Sequence, residues 1–99
     1  MFELVFTQTA QETLRMLESN LAKRGLVKQV KKSLGFLQVN PKHPSLNTHP
    51  YDSIQNPLDS KAKVFEAYAQ NKTPSAYRIF WLYGPGKGQI TIIAITPHP

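Results

Sequence analysis

Three histidines and one strand arginine are the side chains of this sequence best suited to proton transfer and phosphate chemistry. His43 and His49 lie in a proline-rich segment, and His98 follows the last apolar run. Arg78 interrupts another apolar run. Imidazole exchanges protons near neutral pH, and a guanidinium stabilises charge on phosphate. On a basic domain such groups can cleave RNA without a metal: a base takes the ribose 2′-hydroxyl proton, a cation stabilises the transition state, and an acid protonates the leaving oxygen.

Arg78 has two interpretations, which can both hold. Strand alternation places Arg78 on the same face as Phe80 and Leu82, with Trp81 on the opposite face. The side chains in the row of Trp81 are the larger ones, so we expect that row to lie in the core. Arg78 would then lie on the open face of a sheet. Burying an unpaired arginine is costly. Arg78 is therefore either paired with Glu66 across strands or exposed as a phosphate-binding arginine.

The histidines by themselves predict no metal site and no other cofactor. Alternation along the last strand places His98 with Ile90, Ile92 and Ala94. His43 or His49 can simply bond to a backbone group. Three histidines without any cysteine or a helical His-x-x-x-His pair do not match the common patterns of zinc ligation. The absence of cysteine also excludes disulfides and thiol catalysis.

The glycine-rich segment Gly84–Gly88 invites comparison with phosphate-binding loops. That pattern requires a glycine where Trp81 stands and a hydroxyl residue where Gly88 stands. The segment also joins two predicted strands rather than opening a helix. We therefore predict a hairpin loop.

Length and charge predict one small domain over residues 1–99 with a polyanionic or acidic partner. Twelve Lys and Arg oppose six Asp and Glu, a formal charge of +6. Such an excess favours binding to nucleic acid or to an acidic protein. The apolar runs are too short to cross a bilayer, and the first residues do not resemble a secretory signal. The expected location is the cytoplasm, without membrane association.

The N-terminal half predicts a strand and two helices. Residues 2–6 alternate weakly and favour a strand. Thr9 and Glu12 fit a capping box, with Thr7 as a rival cap. Gly25 could interrupt the helical pattern, and Asn40 before proline ends it. Apolar stripes mark the buried faces of the two helices: Ala10, Leu14, Leu17 and Leu21, then Leu26, Val30, Leu34 and Leu37.

The C-terminal half predicts a mostly antiparallel sheet. Residues 40–57 are rich in proline and read as a loop with a short strand near 45–49. Residues 64–69, 76–83 and 89–96 are rich in β-branched and aromatic residues, and turn sequences separate them. The predicted fold class is α+β: a strand, a helical hairpin and three or four further strands, with the helices on one sheet face.

This order and three sequence features resemble the RelE/ParE superfamily of toxins from bacterial toxin–antitoxin pairs. The basic second helix runs into Asn40-Pro41. The strand Ala76-Tyr-Arg-Ile-Phe-Trp resembles the family's arginine-bearing strand. A closing apolar strand is followed by Thr96-Pro97-His98. The resemblance spans nearly the whole chain. The segment Asn-Pro-Lys-His-Pro-Ser-Leu suggests a divergent subgroup.

The resemblance implies a metal-independent endoribonuclease of the RelE/YoeB kind, which cleaves mRNA on the ribosome. Arg78 matches the strand arginine that contacts the scissile phosphate, and His98 matches the C-terminal histidine of YoeB-like members. His49 is the candidate general base, with Glu66 as another candidate base or as the partner that orients Arg78. Lys42 and His43 are candidates for RNA binding. The expected protein partner is a small acidic antitoxin that covers the basic face.

Two other functions stay open at this point. A ParE-like member would bind DNA gyrase and cleave nothing, which departures from the usual catalytic residues would favour. A stand-alone RNA- or protein-binding domain would keep the fold without activity.

Overall fold

A computed structural model describes residues 1–98 and confirms an α+β fold of two helices and a five-stranded sheet. The sheet order is β1-β5-β4-β3-β2, antiparallel except for the parallel pair β1–β5. No helix in this part of the chain is long and apolar enough to span a membrane. The elements are β1 Glu3–Phe6, α1 Gln8–Glu18, α2 Arg24–Val39, β2 His49–Pro50, β3 Phe65–Tyr68, β4 Tyr77–Tyr83 and β5 Gln89–Pro97, with 3₁₀ turns at Leu21–Lys23 and Pro44–Leu46.

The core lies between the two helices and one face of the sheet, which we call the inner face. All four predicted apolar positions of α2 are buried there. Trp81 and Ile79 meet them from β4, as the size of that row predicted. Burial of apolar area is the main stabilising term in such a core. The inner-face residues of the sheet are Ala67, Ile79, Trp81, Ile90, Ile92 and Ile95.

The first helix differs from its prediction at both ends. Thr7, not Thr9, is the cap: its hydroxyl accepts a hydrogen bond from the Ala10 N–H at 3.1 Å. The helix ends at Glu18, and Leu21, the last residue of the predicted stripe, is 77% exposed in a 3₁₀ turn. Gly25 does not interrupt a helix but lies in the first turn of α2.

The proline-rich segment after α2 does not form the predicted strand near 45–49. Pro44 begins a 3₁₀ turn, and the chain leaves it at Asn47 with a positive φ of 47°. Proline pre-sets the φ of a first helical position and asparagine tolerates the left-handed region, which explains the turn. Only His49 and Pro50 pair with β3. Leu46 is fully buried in the core and anchors the segment.

The other face of the sheet, the outer face, is open at only one end. Phe80 and Leu82 point to this face, yet their exposed fractions are 1% and 0%. The Tyr51 ring lies 4.8 Å from the Phe80 ring, so the segment after β2 covers this part. The prediction of a wholly open face was wrong, because the loop carries apolar residues of its own.

A β-bulge changes which residues of β5 face outward. Trp81 pairs with Ile92 but Phe80 pairs with Ala94, so Ile93 has no Cα partner in β4. A bulge inserts one residue and shifts the alternation beyond it. The Thr7 hydroxyl donates to the Ile93 carbonyl at 2.8 Å while it caps α1. One side chain therefore ties the start of α1 to the bulge.

Replacing Thr7 by alanine tests this double role. We expect Thr7→Ala to lower the free energy of unfolding by about 1–2 kcal/mol, since the cap is lost and the hydroxyl bond to the bulge with it. Thr9→Ala, at an exposed position two residues further along, is the matched control and should change stability by less than about 0.5 kcal/mol. Urea denaturation of both variants measures the difference. Equal losses of stability in the two variants would contradict the assignment of Thr7 as the helix cap.

Replacing Leu46 by alanine tests whether the proline-rich segment is anchored. Leu46 is fully buried and Leu58 is 53% exposed. Leu46→Ala should lower the free energy of unfolding by about 2–5 kcal/mol through lost burial and a residual cavity. Leu58→Ala makes the same chemical change where water already reaches the side chain. A loss for Leu46→Ala no larger than for Leu58→Ala in thermal or urea unfolding would show a loosely attached segment.

Candidate active site

A buried carboxylate, Glu66, gathers three basic side chains at the uncovered end of the outer face. Its side chain is 3% exposed. His49 Nε2 lies 2.6 Å from Oε1, and His98 Nδ1 lies 3.2 Å from Oε2. Arg78 Nε lies 4.0 Å from Oε2. We call these four residues the Glu66 cluster. All four are candidates from the sequence, and the fold brings them together.

His49 reaches Glu66 through the short pairing of β2 with β3. The register places His49 directly opposite Glu66. The second ring nitrogen, Nδ1, lies 2.7 Å from the Asn47 carbonyl oxygen. The left-handed backbone of Asn47 thus belongs to the same local structure that holds the ring. His49 is therefore fixed through both nitrogens, although its side chain is 44% exposed.

His98 reaches Glu66 because of the bulge at Ile93. The sequence prediction placed His98 on the same face as Ile90 and Ile92, and this is wrong. Those two isoleucines face the core, whereas beyond the bulge Ala94 faces outward, opposite Phe80. The His98 backbone N–H donates to the Ala76 carbonyl at 2.8 Å, which continues the ladder past β5. Its side chain remains 49% exposed.

Arg78 is held inside the site rather than exposed on it. Its side chain is 10% exposed, so the interpretation as a freely exposed arginine does not hold. Nη1 donates to the carbonyls of Gln70 at 2.6 Å and Tyr77 at 3.3 Å. The guanidinium carbon lies 3.6 Å from the centroid of the Tyr68 ring. At 4.0 Å from Oε2, Nε makes a charge contact with Glu66 but no hydrogen bond.

Lys42 and His43, the predicted RNA-binding pair, make no hydrogen bond or ion pair with the Glu66 cluster among residues 1–98. His43 Nδ1 accepts a hydrogen bond from the Ser45 N–H at 3.1 Å, and its ring stacks on Phe36 at 3.9 Å. His43 is therefore bonded to a backbone group, which is one of the interpretations that the sequence left open for it. The Lys42 side chain is exposed.

The cluster carries one acidic group and three basic ones. Arg78 is always charged, and each histidine that gains a proton adds a further positive charge. Two of the basic side chains are about half exposed, so an anion can approach them from solvent. Within residues 1–98 no three His, Asp or Glu side chains are grouped so as to hold a metal ion. The arrangement suits a phosphate ester and proton transfer to or from it.

The groups that hold Arg78 were not predicted from the sequence. Tyr68 stands directly opposite Arg78 in the β3–β4 register, so its ring covers the guanidinium. The Gln70 carbonyl follows just after β3. Tyr68 could have been predicted, because an aromatic residue two positions from Glu66 lies on the same face of the strand. The Gln70 carbonyl could not, because a main-chain acceptor does not depend on residue type.

Comparison with known proteins finds similarity in structure but not in sequence. No family model and no curated protein sequence matches the chain. A YoeB/ParE toxin from Agrobacterium tumefaciens is similar with a TM-score of 0.70 at 11% identity, over 99% of this chain and 100% of that chain. A metal-bound toxin from Helicobacter pylori gives 0.66 at 16% identity, over 99% and 96%. A chain of the archaeal RelE-RelB complex from Pyrococcus horikoshii OT3 gives 0.64 at 10% identity, over 97% and 93%.

These similarities extend over almost the full length of each chain, at identities where only the fold is shared. The similar structures named here are of the YoeB/ParE and RelE kinds. The sequence resemblance predicted the same group from the strand arginine and the order of elements. The chain therefore shares the fold of these toxins.

Proposed function

We propose that this chain is the toxin of a toxin–antitoxin pair and that it cleaves mRNA on the ribosome. The observation that carries the proposal is the Glu66 cluster: an exposed imidazole and a fixed guanidinium meet one carboxylate at the uncovered end of the sheet. The toxin fold and the charge of +6 support it. Metal-independent cleavage and a cytoplasmic location remain predictions from the sequence.

His98 is the proposed group that exchanges a proton with RNA. Its imidazole is anchored by Nδ1 to Glu66 and is half exposed. In the proposed reaction the 2′-hydroxyl gives its proton to a base and its oxygen bonds to phosphorus. The bond from phosphorus to the 5′ oxygen breaks, and that oxygen takes a proton. The products are a 2′,3′-cyclic phosphate and a 5′-hydroxyl, with no net use of water. A positioned acid or base accelerates such a step about 10²–10⁴-fold.

Arg78 is proposed to stabilise the charge that develops on phosphate. Its guanidinium is held by two backbone carbonyls and by the Tyr68 ring. A charge that is already in place does not have to be reoriented during the reaction, and this preorganisation is a large source of catalysis. The hydrogen bonds that Arg78 makes within residues 1–98 come from Nη1. Nε is buried, so Nη2 is the donor proposed to contact RNA.

The proposed protein partner is a small acidic antitoxin. One similar structure is a RelE-RelB complex, so a protein of this fold is found there bound to a second protein. The positive charge of this chain favours an acidic partner over a neutral one. RNA binding by Lys42 and His43 stays a prediction. Lys42 is the stronger of the two, because one ring nitrogen of His43 is already bonded to the backbone.

Primer extension on a translated mRNA tests cleavage and the role of Arg78. We expect new 5′ ends with the wild-type chain and a loss of about 10²–10³-fold in cleavage rate with Arg78→Lys, which keeps the charge but not the planar fork. Arg15→Ala, an exposed position on α1, is the control and should cleave like wild type. Circular dichroism of each variant establishes that it is folded.

Two results would contradict this proposal. Cleavage by Arg78→Lys at the wild-type rate would remove Arg78 from the site. Absence of cleaved RNA together with accumulation of gyrase–DNA complexes would favour the ParE-like alternative instead.

A further inference from the structure

Both ring nitrogens of His49 are used within the protein. Nδ1 lies 2.7 Å from the Asn47 carbonyl oxygen, and Nε2 lies 2.6 Å from Glu66 Oε1. A carbonyl oxygen accepts hydrogen bonds and cannot donate them. The proton of the first hydrogen bond must therefore reside on Nδ1. His49 has no ring nitrogen left for a substrate.

One proton is consequently shared between His49 and Glu66. With Nδ1 protonated, the 2.6 Å contact contains a single proton, carried by either Nε2 or Oε1. In the first state a histidine cation faces a carboxylate, and in the second both groups are neutral. In either state the charge of a side chain that is 3% exposed is compensated, as burial requires. The more distant Arg78 is not needed for this purpose.

The other carboxylate oxygen is then available to orient His98. Oε2 accepts a hydrogen bond from His98 Nδ1 at 3.2 Å, which places a proton on Nδ1. The neutral ring then has its lone pair on Nε2, a nitrogen that makes no hydrogen bond or ion pair within residues 1–98. A carboxylate that fixes the tautomer of a catalytic histidine is a recurring device in enzymes.

We propose that His49 is a positioning residue that never exchanges a proton with RNA, and that Glu66, held by His49, keeps the His98 Nε2 free for that exchange. This replaces the sequence-based assignment of His49 as general base, and it rests on the proposed ribonuclease activity for the role of His98. Glu66 is likewise a positioning residue, since both of its oxygens are engaged by histidines.

Nitrogen NMR of the histidine rings tests the arrangement without any activity. In the ¹⁵N-labelled wild-type chain, His49 Nδ1 should be protonated at every pH at which the protein is folded. Neutral His98 should show a protonated Nδ1 and an unprotonated Nε2. Spectra of His43→Gln, His49→Gln and His98→Gln assign the three rings. Neutral His49 with an unprotonated Nδ1, or neutral His98 with the opposite tautomer, would overturn the proposal.

Matched substitutions at the two histidines test the division of roles. Glutamine can place an N–H near the position of a histidine Nε2 but cannot act as an acid or base. His49→Gln should therefore keep cleavage within about threefold of wild type, whereas His49→Ala should lower kcat by up to about 10²-fold through misplacement, with KM unchanged. His98→Gln and His98→Ala should both lose about 10²–10⁴-fold. Thermal unfolding identifies any variant that fails to fold.

The two proposals fail in different ways. If His49→Gln is folded and as inactive as His98→Gln, His49 transfers a proton to or from RNA and the positioning role is wrong. If the wild-type chain cleaves no RNA, the proposed function is wrong. The ring spectra then still decide the hydrogen-bond arrangement by themselves.

Discussion

Compensation of one buried negative charge is the constraint around which this site is organised. Glu66 projects from β3 to the outer face, where its side chain is 3% exposed. An isolated carboxylate there would cost several kcal/mol, so partners must reach both oxygens. His49 and His98 supply them from opposite sides, and Arg78 lies one step further away. Three elements distant in sequence are thus held by one side chain.

Irregular backbone, rather than regular strands, delivers these partners. The bulge at Ile93 turns the end of β5 so that His98 faces outward, and the Thr7 hydroxyl occupies the Ile93 carbonyl. The left-handed residue Asn47 places a carbonyl against the His49 ring. Bulges and positive-φ residues often occur next to active sites because they change the direction in which a side chain points from that of a regular strand.

Burial also determines how Arg78 can act. Stacking on Tyr68 and two carbonyl bonds hold the guanidinium with little freedom. A fixed cation loses little conformational entropy when phosphate arrives, whereas an exposed arginine must be ordered first. The loop with Tyr51 covers the adjacent apolar part of the outer face, so the site occupies a limited region at one end of the sheet. The fold thereby combines a rigid charge with accessible imidazoles.

Sequence alone determined the α+β class, the buried stripe of α2 and the division of β4 into a core row with Trp81 and an outer row with Arg78. These features depend on periodicity, which is local. Only the tertiary structure decided that His98 faces Glu66, because one extra residue at Ile93 reverses the alternation and leaves no compositional mark. The partners of His49 could not be predicted from the sequence either. A two-residue strand pairing and a main-chain carbonyl depend on how the chain folds back, not on which side chains it carries.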